Sequence, residues 1–236
     1  KLSPHLAIGS ISIRECFEAG VNANNNSLNG RKTNAASWIS ELIWREFYRH
    51  ILIGFPRVSR GRAFRLETEK LEWDDNEEHL DAWCNGRTGV PIVDAAMRQM
   101  HATGWMHNRL RMIVAMFLTK DLFQHWKKGE KFFMRHLIDG DLASNNGGWQ
   151  WSASTGTDAA PYFRIFNPFT QSRKFDPDGD FIREWVPELK DVQGDAIHDP
   201  SDLPDLLRSK LDYPLPIVDR SKSRERVLAA FKALKS

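Results

Sequence analysis

The reading of the fold turns on Gly104-Trp105-Met106-His107-Asn108-Arg109-Leu110-Arg111-Met112-Ile113-Val114-Ala115-Met116-Phe117-Leu118. Leu110, Ile113, Val114, Phe117 and Leu118 recur at helical offsets. Met106, Met112 and Met116 widen that stripe, so the pattern predicts a long helix over about 105–127, buried on most sides. Just upstream, Gly104 closes a helix over 90–103 that has Pro91 in its first turn. A shorter helix over 76–84 ends at Asn85-Gly86, and 57–75 is irregular. Further out, 36–53 is a strong helix with Ile39, Leu42, Ile43 and Phe47 as its apolar stripe, stopped by Gly54 and Pro56. Glu41, Trp44, Arg45 and Tyr48 fall on another face of it. Residues 22–34, rich in Asn, Gly and Ser, read as a surface loop, and 1–18 as an entry and helix capped by Ser10 or Ser12.

Downstream, 131–142 reads as helix, Asn145-Asn146-Gly147-Gly148 as a turn, and 152–160 as a run of small residues. Proline-bounded segments reach about 220, and 224–234 is a last helix. No segment alternates long enough for a strand, and no repeat is present. The expected fold class is all-α, one domain over 1–236.

Composition narrows the function. The 236 residues are 41% hydrophobic and 27% charged, as in a globular protein that buries a sizeable core. No run of about 18 apolar residues predicts a membrane span. Cys16 and Cys84 give neither a disulfide framework nor a Cys-rich metal site, which fits a reducing compartment. With no targeting signal, the expected place is cytoplasmic, nucleoid-associated in a bacterium, and the expected state a monomer. The opening at Lys1 reads as a piece of a longer chain. A net charge of +2 does not announce a nucleic-acid binder, though a local basic face is compatible with it. Nine Trp against three Tyr is the unusual entry in the composition.

Three constellations could carry chemistry. Arg111 lies close to the Val114 and Leu118 side of its helix and needs an anionic partner there, Asp139 or Asp141. That pairing is either structural or part of a site; an Asp-x-Asp cation site is a further alternative, without other clustered oxygen ligands to support it. The segment from Asn145 to Trp151 sets two Trp beside glycines and small residues, which suits either core packing or a concave site with aromatic walls. On the face of Glu41, Trp44, Arg45 and Tyr48, an exposed Trp between an acid and a guanidinium fits base stacking or a solvated surface.

These stretches, with Leu2-Ser3-Pro4, Trp38–Arg49, Asp139-Gly140-Asp141 and Ala160-Pro161-Tyr162-Phe163-Arg164-Ile165-Phe166-Asn167-Pro168, resemble the photolyase/cryptochrome family nearly end to end and in order. The resemblance implies the family's helical FAD-binding domain, with the N-terminal α/β domain absent, and with it the folate- or deazaflavin-type antenna. It implies FAD contacts from Leu2, Ser3, Trp38, Asn108, Arg111, Asp139, Gly140 and Asp141, with Asn145 facing flavin N5. Trp149, Trp126 and Trp73 match the family's electron-transfer chain. Glu41, Trp44, Asn108, Met112 and Trp151 match the pocket for a flipped pyrimidine dimer, and Arg45, Tyr48, Arg109, Arg164 and Gln171 would approach the DNA. The implied activity is light-driven splitting of cyclobutane pyrimidine dimers by an electron from excited, reduced FAD.

Within the family, Asn108, Arg109 and Met112 favour the cyclobutane enzyme over the (6-4) enzyme, and Asn145 disfavours a plant-type cryptochrome. The rivals are a blue-light receptor without repair activity and a non-catalytic helical nucleic-acid-binding module. The Thr-Ser that precedes Leu-Ser-Pro in the family is missing, and Ser201-Asp202-Leu203 stands where relatives place an aromatic-rich turn.

Overall fold

The computed structural model describes residues 1–28 and 33–234. Among them there is no strand, only an isolated bridge between Asp74 and Gln124. The chain opens with α1 (Ser3–Ile8), α2 (Ile13–Ala23), α3 (Asn34–Gly54) and α4 (Pro56–Ser59). Next come α5 (Glu77–Cys84), α6 (Pro91–Thr103), α7 (Asn108–Met116), α8 (Trp126–His136) and α9 (Leu142–Ala153). The end is α10 (Pro168–Phe175), α11 (Asp180–Trp185), α12 (Asp205–Arg208) and α13 (Arg220–Ala233).

Local chemistry sets these boundaries. Ser12 and Glu15 form a capping box at the start of α2. Thr33, Asn76, Asn167 and Asp219 accept backbone N–H groups at the starts of α3, α5, α10 and α13. Of the expected Asn-rich loop, 22 and 23 belong to α2, Thr33 caps α3, and 29–32 lie outside the described residues. Residues 57–75 hold α4 and a 3-10 turn, Leu66–Lys70, in otherwise irregular chain.

The core gathers around α6, whose Ile92, Val93, Ala95, Ala96, Met97 and Met100 are all buried. Trp83 of α5 closes one side and donates its indole N–H to the Val114 carbonyl (3.1 Å). The stripe of α3 is narrower than its sequence suggests: Ile39 and Leu42 are buried, whereas Ile43 is 57% exposed.

Three expectations from sequence need correction. The helix from 105 does not run to 127. It passes from α7 into a π-helical turn, Phe117–Asp121, and is broken at Phe123, whose φ is +53°. Phe123 and Leu122 are buried there, so the apolar pattern continues through a break in the backbone. Likewise no helix spans 131–142, because α8 ends at His136 and the Ile138 N–H turns to the Gly104 carbonyl (2.9 Å).

Asn145-Asn146-Gly147-Gly148 is not a turn but the interior of α9. Asp141 starts that helix by accepting the Ser144 N–H (3.1 Å) and hydroxyl (2.8 Å). The Tyr48 ring of α3 occupies the place where a Cβ on Gly147 would stand. Tertiary packing of α3 on α9 therefore overrides the local preference of Asn and Gly for turns.

Candidate functional site

Between α1, α3, α7 and α9 lies one cleft with three lobes, and Asn108 and Ser144 line all three. His107 places Asn108 there. Its extended backbone and its ring Nδ1, which accepts the Arg109 N–H (3.1 Å), start α7 at the junction.

The first lobe, about 150 Å³, has Met112, Phe133 and Leu137 as apolar walls and Arg111, Asp139 and Asn145 as polar ones. The second, about 450 Å³, is bounded by Ser3, Trp38, Glu41, Arg45, Trp105 and His107. The third, about 400 Å³, opens between Glu41, Trp44 and Tyr48 on one side and Arg109, Met112 and Trp151 on the other. Met112 and Gly148 are shared by the first and third lobes, so these are neighbours across a single wall.

Arg111 donates Nη2 to both Asp139 oxygens (2.9 and 2.7 Å) and Nε to the Met106 carbonyl (2.8 Å). The Asp139 side chain is almost fully buried by this pairing. Its sequence neighbours do not bury it, since Ile138 is 59% and Leu142 44% exposed. Asp141, expected to share the inward pull, is instead the cap of α9 and lies 3.5 Å from Arg49. Burial alone would raise the Asp141 carboxyl, but the Ser144 N–H and hydroxyl, with Arg45 and Arg49, hold it below the usual carboxylate range. One carboxylate is thus tied to a guanidinium and the other to a helix start.

Asn145 donates Nδ2 to the Glu130 carbonyl (2.9 Å), which fixes the amide on the first lobe. Glu41 is reached by solvent, yet crowding by the cleft pushes its carboxyl up, against a weaker opposite pull from His107. Tyr48, packed on Gly147, is pushed up to about 12 by burial and by Asp158 and Glu41, so it stays a neutral phenol.

A planar ring with a polar rim suits the first lobe, which is lined by apolar Met112, Phe133 and Leu137 and by the Asn145 amide and the Arg111–Asp139 pair. The aromatic rings of Trp38 and Trp105, the Ser3 hydroxyl and the Arg45 cation suit the polar remainder of a dinucleotide in the second lobe. The residues present thus fit FAD.

Residues 38–233 match the family described as the FAD binding domain of DNA photolyase. The chain belongs to that family. It is 54% identical over 233 residues to the deoxyribodipyrimidine photo-lyase of Escherichia coli K12, covering 99% of this chain and 49% of the relative. The enzyme of that name from Neurospora crassa is 51% identical, with 98% and 39% covered. Among solved structures, a class III photolyase from Agrobacterium tumefaciens superposes with a TM-score of 0.91 at 45% identity, covering 99% of this chain and 49% of that one. The cryptochrome of Synechocystis superposes at 0.87 and 35% identity, covering 98% and 48%. The chain spans about half the length of the curated relatives it matches.

In this photolyase-family cleft, most residues singled out from sequence come together. Leu2 stands apart from the lining, as the exposed residue before α1. Arg45 is tied to α1 through the Leu6 carbonyl (3.1 Å) while lining the second and third lobes. Arg164 is exposed in the segment before α10, and Gln171 is half-buried on α10; neither lines a lobe.

Trp149 is buried edge-on against Phe133 (5.0 Å) and fills the space above Gly129, one turn along α8 from Trp126. Trp126 in turn neighbours His125 (5.8 Å), and His125 neighbours Trp73 (5.4 Å). Sequence reasoning gave no role to Ser144, Trp105, His107 or Glu130. Of these only Ser144 left a trace, three residues after an Asp, the spacing of an N-cap contact.

Proposed function

We propose that this chain is the catalytic half of a light-driven DNA-repair lyase that splits cyclobutane pyrimidine dimers, with FAD as its cofactor. The observation that carries the reading is the shared wall: a lobe fit for a flavin ring adjoins, across Met112 and Gly148, a lobe walled by Trp44 and Trp151. A base turned out of a duplex into the third lobe would lie beside the cofactor ring, as base-modifying enzymes require.

Arg111, Asp139 and Asn145 would hold the FAD ring at the first lobe, with Ser3, Trp38 and Arg45 at the second, and the reduced cofactor would supply light-driven electron-donor chemistry to the dimer. Everything else falls to the chain. Arg111 and Asp139 hold a fixed dipole along the first lobe, and Asn145 offers an amide there that Glu130 keeps from rotating. Glu41 lines the third lobe, where it would hydrogen-bond the pyrimidine edge and stabilise charge that develops on the ring. Trp44, 39% exposed and braced by Phe47 (5.3 Å, edge-on), faces Trp151 across the lobe as a stacking surface. Trp149, Trp126 and Trp73 form a path of oxidisable rings from the first lobe outward. Arg109, Arg45, Arg164 and Gln171 would meet the DNA strand, and the cytoplasm or nucleoid is the expected place of action.

The cryptochrome among the structural neighbours keeps a light-receptor reading alive, since the fold serves both. One experiment separates them. The chain is loaded with FAD, reduced, and illuminated with an oligonucleotide carrying a single dimer. Loss of the dimer in light but not in darkness is expected. A flavin-loaded protein that leaves the dimer intact under illumination would sink the repair reading and favour the receptor.

A further inference from the structure

Phe175, the last residue of α10, is 46% exposed at the surface. The Arg109 guanidinium lies over its ring at 4.9 Å from the centroid, and the Lys174 ammonium at 5.3 Å. Neither cation makes an ion pair among the described residues, whereas Arg173 between them in sequence space is neutralised by Asp195 (2.7 Å). Two unneutralised cations thus converge on one exposed ring at the rim of the third lobe, which Arg109 lines.

The ring stands on a rigid base. Ser172, one turn earlier, is fully buried against His198 (2.7 Å), and Asp176, next in the chain, accepts the Phe181 and Ile182 N–H groups (3.0 and 3.1 Å). Among the described residues the Arg109 side chain makes no hydrogen bond, so its contact with the ring leaves its N–H donors available. Arg109 is therefore oriented without its fork being used.

We infer that Phe175 is a positioning residue for DNA: it presets Arg109, with Lys174 beside it, to grip a phosphate of the strand at the rim of the third lobe. The inference rests on the reading that this lobe receives DNA. An arginine held this way loses less side-chain freedom when it binds an anion than one that waves in solvent. Because phosphate contacts carry no lesion information, the effect falls equally on damaged and intact duplex.

The test uses the flavin-loaded full chain and two duplexes, with and without a dimer, titrated across a series of salt concentrations. Phe175→Leu keeps the apolar bulk but removes the π-face, and Phe175→Met does the same with a different shape. Each should weaken both duplexes by about two- to fivefold, the range of an exposed cation–π contact. Phe175→Tyr should restore the parent affinity. Arg109→Gln should weaken both duplexes more and lower the salt slope by about one, and Phe175→Leu added to it should cost less than it does alone. Melting temperature and flavin content, unchanged throughout, show that the fold is intact. Parent-like affinity of both the Leu and Met variants overturns the inference, and so does an undiminished loss in the Arg109→Gln background. A parent protein without duplex affinity would overturn this inference together with the DNA reading; uncoupled variants in a protein that binds DNA would overturn this inference alone.

Discussion

Removing the Asp139 carboxylate would leave the Arg111 guanidinium with one carbonyl in place of a carboxylate, on a wall of the cleft. Breaking such a pair from one side costs several kcal/mol when both groups are buried. Here Arg111 keeps about a quarter of its side chain in water, so the loss is smaller. Asp139→Asn should lower unfolding stability by about 2–3 kcal/mol, read from denaturant midpoints, and the purified protein should carry less flavin. A change under about 0.5 kcal/mol would mean that the pair is solvated and unimportant to the fold. The helical period, which sets Arg111 beside Val114 and Leu118, made its need for an anionic partner legible, with Asp139 and Asp141 both open. The separate fate of Asp141 was not legible, because the apolar Ile138 and Leu142 point to solvent and gave a false sign of burial.

At the scale of elements, α9 shows how packing overrules composition. Gly147 is required, since a Cβ there would stand 2.1 Å from the Tyr48 ring; beside it, Gly148 has open space. Gly147→Ala should therefore destabilise the protein by about 1–3 kcal/mol through overpacking. Gly148→Ala should stabilise it by about 0.5–1 kcal/mol through helix propensity, while narrowing the wall shared by two lobes. Thermal denaturation of both variants decides the matter, and equal behaviour would refute the packing account. The sequence reading failed here because two Asn and two Gly carry a strong local turn signal, and the neighbour that defeats it is about 100 residues upstream in the chain.

The π-helical turn carries the second element-scale prediction. Lys120 is fully buried; its ammonium donates to Ser154 Oγ (2.8 Å) and the Ala153 carbonyl (3.2 Å) and lies 4.3 Å from the Phe231 ring of α13. No carboxylate pairs with it among the described residues, and burial brings its pKa down to about 7 from 10.5. The unfolded chain then binds more protons than the folded one between about pH 7 and 10.5. Stability must rise with pH in that window, and the penalty is complete below it. Lys120→Met, which keeps the length and removes the charge, should flatten that rise. The difference in stability between parent and variant, followed from pH 7 to 10, should move in favour of the parent as pH increases. A constant difference would show that Lys120 is not desolvated as the structure has it.

Over the whole molecule, the proposed function rests on an adjacency: α3 and α7, far apart in the chain, both pack on α9 and line the cleft where three lobes meet. Periodicity could place residues on faces of single helices, and the order of the family's motifs pointed to a flavin domain, but neither gave the wall between lobes. That wall makes the proposed lesion pocket testable apart from the rest of the proposed DNA surface. Trp44 and Trp151 reach the third lobe from different elements, and a base stacked on such a ring gains about 1–3 kcal/mol. Trp44→Ala should weaken dimer-containing duplex by about 5- to 150-fold, the equivalent of that energy. Intact duplex keeps its bases stacked and meets only the phosphate contacts outside the lobe, so its affinity should hardly change. Glu41→Ala should separate differently, with a small loss of binding and a clear fall in dimers split per absorbed photon, because the role proposed for it begins once charge reaches the pyrimidine. Paired titrations at one salt concentration, with flavin content checked in each protein, make the comparison. Equal losses on the two duplexes would place Trp44 among the residues that support α3 or the general DNA surface, and the lobe would then have to be assigned to something other than a flipped dimer.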